Sequence, residues 1–318
     1  MRSARMTGAV VTVVASGLAG MAPGPAFGQN VQSPSAGSPR AVVEATADPT
    51  VVWAVGDLCD DDNAVLDCDD VGRLIANDPA TDAVLSLGDL QYENASLAKF
   101  NTFYDPKMGA GKRLWAKTYP APGNHEYLTP GAAGYFDYWK TRAGDRSRGY
   151  YGVTLGGWQV VAANSNCSKV GGCGATSPQG RFIASYLDRA GTCELVFDHH
   201  PAFSDGGQGD SADGRALFAV AYQNRGELFL SGHDHNYQRF APRRPDGSIS
   251  TSTGVRQFVV GTGGKDLRGY RTTRQRTQYR QNTRFGALRL VLSSTGYSAR
   301  FMSISGSTMD TASGTCHS

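Results

Sequence analysis

The chain has 318 residues, of which 40% are hydrophobic and 19% charged, and its formal net charge is +3. That length accommodates one large α/β domain or two smaller ones, and the composition is ordinary for a globular protein. So small a charge gives no ground for nucleic-acid binding, and no basic amphipathic helix marks a membrane surface.

Arg2 and Arg5 precede an apolar segment from Thr7 to Ala22, and Ala26-Phe27-Gly28 offers small residues for cleavage. The pattern predicts a secretory signal peptide over residues 1–28, too short and Gly-interrupted for a membrane span. Residues 29–48, rich in Ser, Pro, Gly and Ala, read as a linker, and residues 49–318 as a single domain. No later run approaches about 20 consecutive apolar residues, so no membrane span is expected. The six cysteines all fall in the domain, an even count that fits three disulfides in an exported chain. Six cysteines allow about 15 pairings. Proximity favours Cys59–Cys68 and Cys167–Cys173, leaving Cys193 for Cys316. A thiolate metal site lacks CxxC spacing and sits poorly with an oxidising compartment.

Thr50-Val51-Val52-Trp53-Ala54-Val55 is apolar at consecutive positions, which predicts a strand buried on both faces and ending at Gly56-Asp57. Six aspartates lie between Cys59 and Asp70. They lack the spacing and closing Glu of an EF-hand and read as a solvated loop. Asp70 is the expected cap of a short helix through Val71, Leu74 and Ile75. The apolar run from Ala83 to Leu87 predicts a second strand, which delivers Gly88-Asp89-Leu90-Gln91-Tyr92 into the loop at its carboxyl end. A helix is expected over residues 96–104, halted at Asp105-Pro106, and residues 117–122 lead into Gly123-Asn124-His125-Glu126. Residues 150–154 and 158–163 predict a hairpin across Gly156-Gly157. Ser177-Pro178 is an N-cap and first-turn pair for a helix to about Asp188.

The strand over residues 193–197 ends at Asp198-His199-His200-Pro201. A helix over residues 214–224 precedes a strand, 227–230, that ends at Gly232-His233-Asp234-His235. Further strands are expected over residues 256–260, 286–293 and 297–303. Between them, residues 265–284 hold seven Lys or Arg against one Asp. Such a run could steer anions, though a solvated, mobile loop is its commoner meaning. Strands that alternate with helices point to one layered α/β domain.

Five of the six histidines fall in these strand-end segments, a sorting that scattered core histidines would not produce. Asp57, Asp89 and Tyr92 offer hard oxygen, Asn124 an amide oxygen, and His199, His233 and His235 imidazole nitrogen. This inventory is too large for one ion and suits a pair, with Asp89 as the bridging carboxylate. A phenol of ordinary pKa about 10 ligates as phenolate only beside a strong Lewis acid, and Fe(III) is the best biological candidate. A pair of ions lowers the pKa of bound water and clamps a phosphoryl group. His125, next to Asn124 but outside the ligand set, is placed to be the general acid. His200 either contacts substrate phosphate or braces its loop.

The ordered set Gly56-Asp57, Gly88-Asp89-x-x-Tyr92, Gly123-Asn124-His125-Glu126, Val196-x-x-His199 and Gly232-His233-x-His235 resembles the metallophosphoesterase superfamily over about residues 50–240. Tyr92 resembles the purple acid phosphatases in particular. The resemblance implies a four-layer αββα sandwich and a dinuclear centre of Fe(III) plus a divalent ion, Fe, Zn or Mn. It implies Asp57, Asp89, Tyr92 and His235 on the first ion, and Asp89, Asn124, His199 and His233 on the second. Cys59 stands where many superfamily members carry a His, and Tyr92 takes that ligand's place, as it does in the purple enzymes. The expected activity is hydrolysis of small phosphate monoesters by metal-bound hydroxide, with His125 as acid. The alternatives are a phosphodiesterase or phospholipase-type esterase on the same metals, and a secreted binding protein with a dead site.

Overall fold

The apolar strands that end at Asp57 and at His199 become the parallel centres of two separate sheets. The computed structural model describes residues 49–61, 67–188, 191–271 and 276–317; the expected signal peptide and linker lie outside them. In the first sheet, β1 (Thr50–Val55), β2 (Thr81–Leu87) and β3 (Thr118–Ala121) run parallel. The antiparallel strands β11 (Gly286–Ser293), β12 (Gly296–Ser303) and β13 (Thr308–Thr315) extend it in the order β13-β12-β11-β1-β2-β3.

The second sheet contains β4 (Tyr151–Leu155), β5 (Trp158–Ala162), β6 (Glu194–Phe197), β7 (Leu228–Ser231), β8 (Tyr237–Arg239), β9 (Arg256–Val260) and β10 (Tyr279–Gln281). Its order is β10-β8-β9-β7-β6-β5-β4, with β5, β6, β7 and β9 parallel.

Strand alternation sorts the apolar side chains of this sheet into two layers. Val160, Ala162, Leu195, Phe197, Leu228 and Leu230 share a core with Val52, Ala54, Leu85 and Leu87 of the first sheet. Their neighbours Val161, Val196, Phe229 and Val259 turn the other way. There they meet Ile183 and Leu187 of α4 (Pro178–Leu187) and Leu217, Phe218 and Ala221 of α5 (Ala212–Gln223). On the first sheet, α1 (Asp67–Ala76) adds Val71 and Ile75 to the shared core. The aromatic face of α3 (Ala133–Trp139) packs on Phe100 and Tyr104, which follow the short helix α2 (Leu97–Lys99). Helices thus cover both sheets, and the layers form the expected αββα sandwich.

Several elements depart from the sequence reading. Helix α1 starts at Asp67, not at an Asp70 cap, and Asp69 and Asp70 pair with Arg73 one turn on. The helix expected over residues 96–104 is three α-helical residues capped by Ser96, followed by a π-helical turn, Phe100–Tyr104. Helix α5 begins two residues before the expected Gly214 because Ser211 caps it, accepting from Gly214 N. Strands β8, β10 and β13 and helix α3 have no counterpart in the sequence reading. Half of β13 is exposed and the strand lacks an apolar alternation; it is an edge strand held by backbone pairing to β12.

The basic stretch is not simply a solvated loop. Lys265 is nearly buried, Arg276 and Arg280 pair with the buried Asp205, and residues 279–281 form β10. The three disulfides join Cys59 to Cys68, Cys167 to Cys173 and Cys193 to Cys316, the pairing that proximity favours. Among the described residues no helix is long and apolar enough to cross a membrane.

Candidate metal centre

Asp57, Asp89, Tyr92, Asn124, His199, His233 and His235 all lie just beyond the carboxyl ends of the parallel strands β1, β2, β3, β6 and β7. Open α/β sheets bind ligands at this edge, and here the edges of two sheets converge. The backbone is strained where they meet. Asp57, Asp89 and His233 have φ of 59°, 50° and 71°, a region L-residues disfavour and which functional sites tolerate. The glycines that precede the ligands also have a physical reason. A Cβ on Gly88, itself at φ 82°, would lie 2.6 Å from His199 Nδ1, and one on Gly123 would lie 2.1 Å from Asp89 Oδ1. Each loop needs the missing side chain so that the next loop's ligand can approach.

The side-chain ends form two overlapping clusters. Tyr92 Oη lies 3.0 Å from Asp57 Oδ1, 3.2 Å from Asp89 Oδ2 and 3.2 Å from His235 Nε2. His199 Nε2 lies 3.1 Å from Asn124 Oδ1, 3.1 Å from Asp89 Oδ2 and 3.2 Å from His233 Nδ1. Asp89 Oδ2 therefore belongs to both clusters. Octahedral bonds of about 2.1 Å place adjacent ligand atoms about 3 Å apart, which is the spacing of these donors. The set comprises oxygen and imidazole with no thiolate, so it suits hard and borderline cations. Among the described residues neither Asp57 nor Asp89 pairs with a Lys or Arg, which leaves two buried carboxylates for cations to balance. The residues fit a pair of metal ions.

Outer partners fix how these ligands point. His199 Nδ1 meets Leu87 O at 2.8 Å and His235 Nδ1 meets Asp266 O at 2.9 Å, so each ring turns its Nε2 to the centre. His233 N donates to Asp57 Oδ2 at 2.8 Å. The fully buried Glu126 accepts three backbone N–H bonds, from Asp89 at 3.0 Å, Leu90 at 2.9 Å and Gly123 at 2.6 Å. It thereby ties the Asp89 loop to the Asn124 loop. Glu126 closes the Gly-Asn-His-Glu motif, yet its spacing alone does not reveal a carboxylate turned inward onto backbone.

The electrostatics show how strongly the centre draws positive charge. Burial opposes the charged form of His199, yet Asp89 beside it raises the ring to about 10. Burial also works against the Asp89 carboxylate, but His199 holds it below the ordinary carboxylate range. Burial pushes the Tyr92 hydroxyl well above its usual value, with Asp57 and Asp89 adding to the shift. Burial lowers His233 to about 3, and the neighbouring His199 contributes.

His125 and His200 lie outside the ligand clusters but touch them. The His125 ring packs against Tyr92 with centroids 4.4 Å apart and planes tilted by 56°, and its Nε2 lies 3.9 Å from Asp89 Oδ2. A cavity of about 180 Å³ opens beside it, lined by Asp89, Tyr92, Asn124, His125, His233 and His235 and by Gln208, Glu93, Lys265 and Arg268. His200 does not line this cavity. Its Nδ1 lies 2.8 Å from Ser165 Oγ, which also accepts from His199 N and His200 N. Burial lowers His200 to about 2, with His199 adding to the effect. Glu93, Gln208, Lys265 and Arg268 line the cavity without having been placed there by the sequence reading; the charges of Lys265 and Glu93 pair only across the fold.

The calcineurin-like phosphoesterase family model matches residues 50–237. No curated protein matches the chain. Among solved structures it is similar to the purple acid phosphatase PPD1 of yellow lupin (Lupinus luteus) seeds, with TM-score 0.70 and 17% identity over 85% of this chain and 54% of that one. The chain thus spans about half the length of the lupin protein. It is also similar to GAP50, the anchor in the inner membrane complex of Plasmodium, with TM-score 0.65 and 12% identity over 85% of this chain and 90% of that one. A dimetal phosphatase from Danio rerio gives TM-score 0.50 and 11% identity over 85% of this chain and 100% of that one. At these identities the structural likeness concerns the fold. The family match spans more than half of the chain, from the strand before Asp57 to the strand after His235. The chain belongs to the calcineurin-like phosphoesterase family, whose enzymes are metal-dependent phosphoric ester hydrolases built on dinuclear centres.

Proposed function

We propose that this chain is an exported phosphatase that hydrolyses small phosphate monoesters at a centre of Fe(III) plus a divalent ion, Fe, Zn or Mn. The observation that carries this reading is the Tyr92 hydroxyl, set 3.0–3.2 Å from Asp57, Asp89 and His235 in a fully buried cluster. A phenol so resistant to ionisation becomes a ligand only against a strongly acidic cation, which favours Fe(III) there. Asp57, Asp89, Tyr92 and His235 would hold that ion; Asp89, Asn124, His199 and His233 would hold the divalent one. Ions of this kind supply Lewis acidity, lowering the pKa of water and neutralising charge on a phosphoryl group.

The chain's own residues do the rest. Asp89 couples the two ion sites, while the Leu87 and Asp266 carbonyls keep His199 and His235 turned inward. His125, at the cavity wall with Nε2 inward, donates a proton to the leaving oxygen. His200, held by Ser165, braces the His199 loop rather than entering the cavity. The cavity of about 180 Å³ favours one phosphate with its ester oxygen pointing outward, hence a monoester. Export rests on the N-terminal pattern of residues 1–28 together with the three disulfides.

The deciding experiment is metal content and a visible spectrum on the secreted protein, alongside nitrophenyl mono- and diester assays. The proposal expects two metals per chain including iron, a visible band that bleaches on reduction to Fe(II), and faster monoester turnover. Two colourless divalent ions would refute the Fe(III)–phenolate assignment, and faster diester turnover the monoester reading. No metal uptake would leave a binding protein.

A further inference from the structure

We propose that Glu93 is the positioning residue for His125, and that Lys265 holds Glu93 in that role. The proposal rests on the reading of His125 as the general acid. His125 Nδ1 faces two acceptors of the same residue, the Glu93 carbonyl oxygen at 2.6 Å and its carboxylate Oε2 at 3.3 Å. A carbonyl oxygen can only accept, so Nδ1 carries the hydrogen in the 2.6 Å contact, with the carboxylate alongside it. The proton that the ring exchanges is therefore on Nε2, the nitrogen turned toward Asp89.

Glu93 by itself is poorly placed to hold anything, since its side chain is 56% exposed and exposed ion pairs contribute little. Lys265 changes this. Its side chain is 15% exposed, and its Nζ lies 3.1 Å from Glu93 Oε1. The same ammonium pairs with the buried Asp60 and sits 4.7 Å from the centroid of the Tyr92 ring. The His125 ring in turn packs against Tyr92, tilted by 56°, and His125 N donates to Asp89 Oδ1 at 2.9 Å. The chain Lys265–Glu93–His125 thus closes around Tyr92 and holds the imidazole through its Nδ1 edge and its contact with the Tyr92 ring.

In hydrolysis the P–O ester bond breaks, its electron pair goes to the leaving oxygen, and that oxygen takes the proton from His125 Nε2. The ring is left as the neutral Nδ1–H tautomer. The oxygen of water joins phosphorus, and a proton released from that water restores Nε2.

The test uses the metal-loaded full chain with an alkyl phosphate and with nitrophenyl phosphate, whose leaving group needs little protonation. Glu93→Gln is expected to lower kcat on the alkyl ester about 10- to 100-fold, with KM, metal content and the nitrophenyl rate nearly unchanged. Lys265→Met acts in the same direction and less. Added to His125→Ala, Glu93→Gln should cost nothing further, since the two act as one unit. Equal loss on both esters, or an additive loss in the double variant, would overturn the proposal. His125→Ala alone separates the two levels. If it slows both esters equally, the acid reading falls and this inference with it; if only the alkyl ester suffers while Glu93→Gln spares it, this inference alone falls. In the metal-free protein, nitrogen NMR shifts of His125 should report the Nδ1–H tautomer, and an Nε2–H tautomer would also refute it.

Discussion

Strands β6 and β7 carry a buried polar cluster at each end, and the two clusters answer the same physical problem differently. At the carboxyl ends, His199 and His233 join Asp57 and Asp89 with donor atoms about 3 Å apart. At the amino ends, Glu194 and Glu227 are 5% and 4% exposed. Glu227 accepts from Glu194 N at 2.5 Å and from His317 N at 2.8 Å, while among the described residues Glu194 Oε2 has no hydrogen-bond partner. Burial pushes the Glu194 carboxyl up to about 8, with Glu227 adding to it. This end meets the cost of buried acid by keeping a proton, and it fastens the C-terminal tail beside the Cys193–Cys316 disulfide. Buried carboxylates alone do not make a cation site. Converging donors, each held from behind by a carbonyl or backbone bond, do.

The comparison can be broken most severely at the carboxyl end. Asp89→Asn removes the charge shared by both clusters; metal analysis should show less than two ions per chain. Turnover should fall by about 10³ or more, given Lewis-acid stabilisation of several kcal/mol. Glu126→Ala leaves three buried N–H groups without an acceptor and should destabilise the fold by about 3 kcal/mol in denaturant titration. It should also weaken metal binding about 10- to 100-fold, a loss the amino end cannot produce.

At the other end, replacing Cys193 and Cys316 by Ser opens a link of sequence separation 123. About 2–4 kcal/mol of stability should go, with metal content and activity per folded chain retained. Loss of metal in that variant would show that the two clusters are not independent. Tyr92→Phe is narrower: it should abolish the visible band and change the stability of the metal-free protein, measured by denaturant titration, by no more than about 1 kcal/mol. The last test concerns pH. The native Glu194 carboxyl titrates near 8 against an ordinary 4.5, so the folded state binds that proton more tightly. Stability therefore falls as pH rises from the ordinary value through about 8. Glu194→Gln should flatten this decline in thermal melts taken at several pH values, and an unchanged slope would assign it to other groups.

Much of the candidate centre is legible in the residues alone, because most of its donors come after a locally recognisable strand. Thr50 to Val55 and Cys193 to Phe197 are apolar at nearly every consecutive position, as strands buried on both faces must be. The segments beyond such strands, Gly-Asp, Asp-His-His or Gly-His-Asp-His, can only lie at the carboxyl edge. The edge strand β13 is not legible in this way, since its residues TMDTASGT carry no alternation and its position comes from pairing with β12. Helix α3 is obscured because its aromatic residues pack on Phe100 and Tyr104, partners that local periodicity cannot name.

The sequence by itself determined most of the strands, the types of candidate donor and their order, because these depend on residue chemistry and on patterns spanning a few positions. Only the tertiary structure decided which atoms meet. Tyr92 reaches His235 across 143 residues and Glu93 reaches Lys265 across 172. The order of strands within the two sheets sets those distances, and a charge in the chain carries no mark of the partner that the opposite sheet will bring to it.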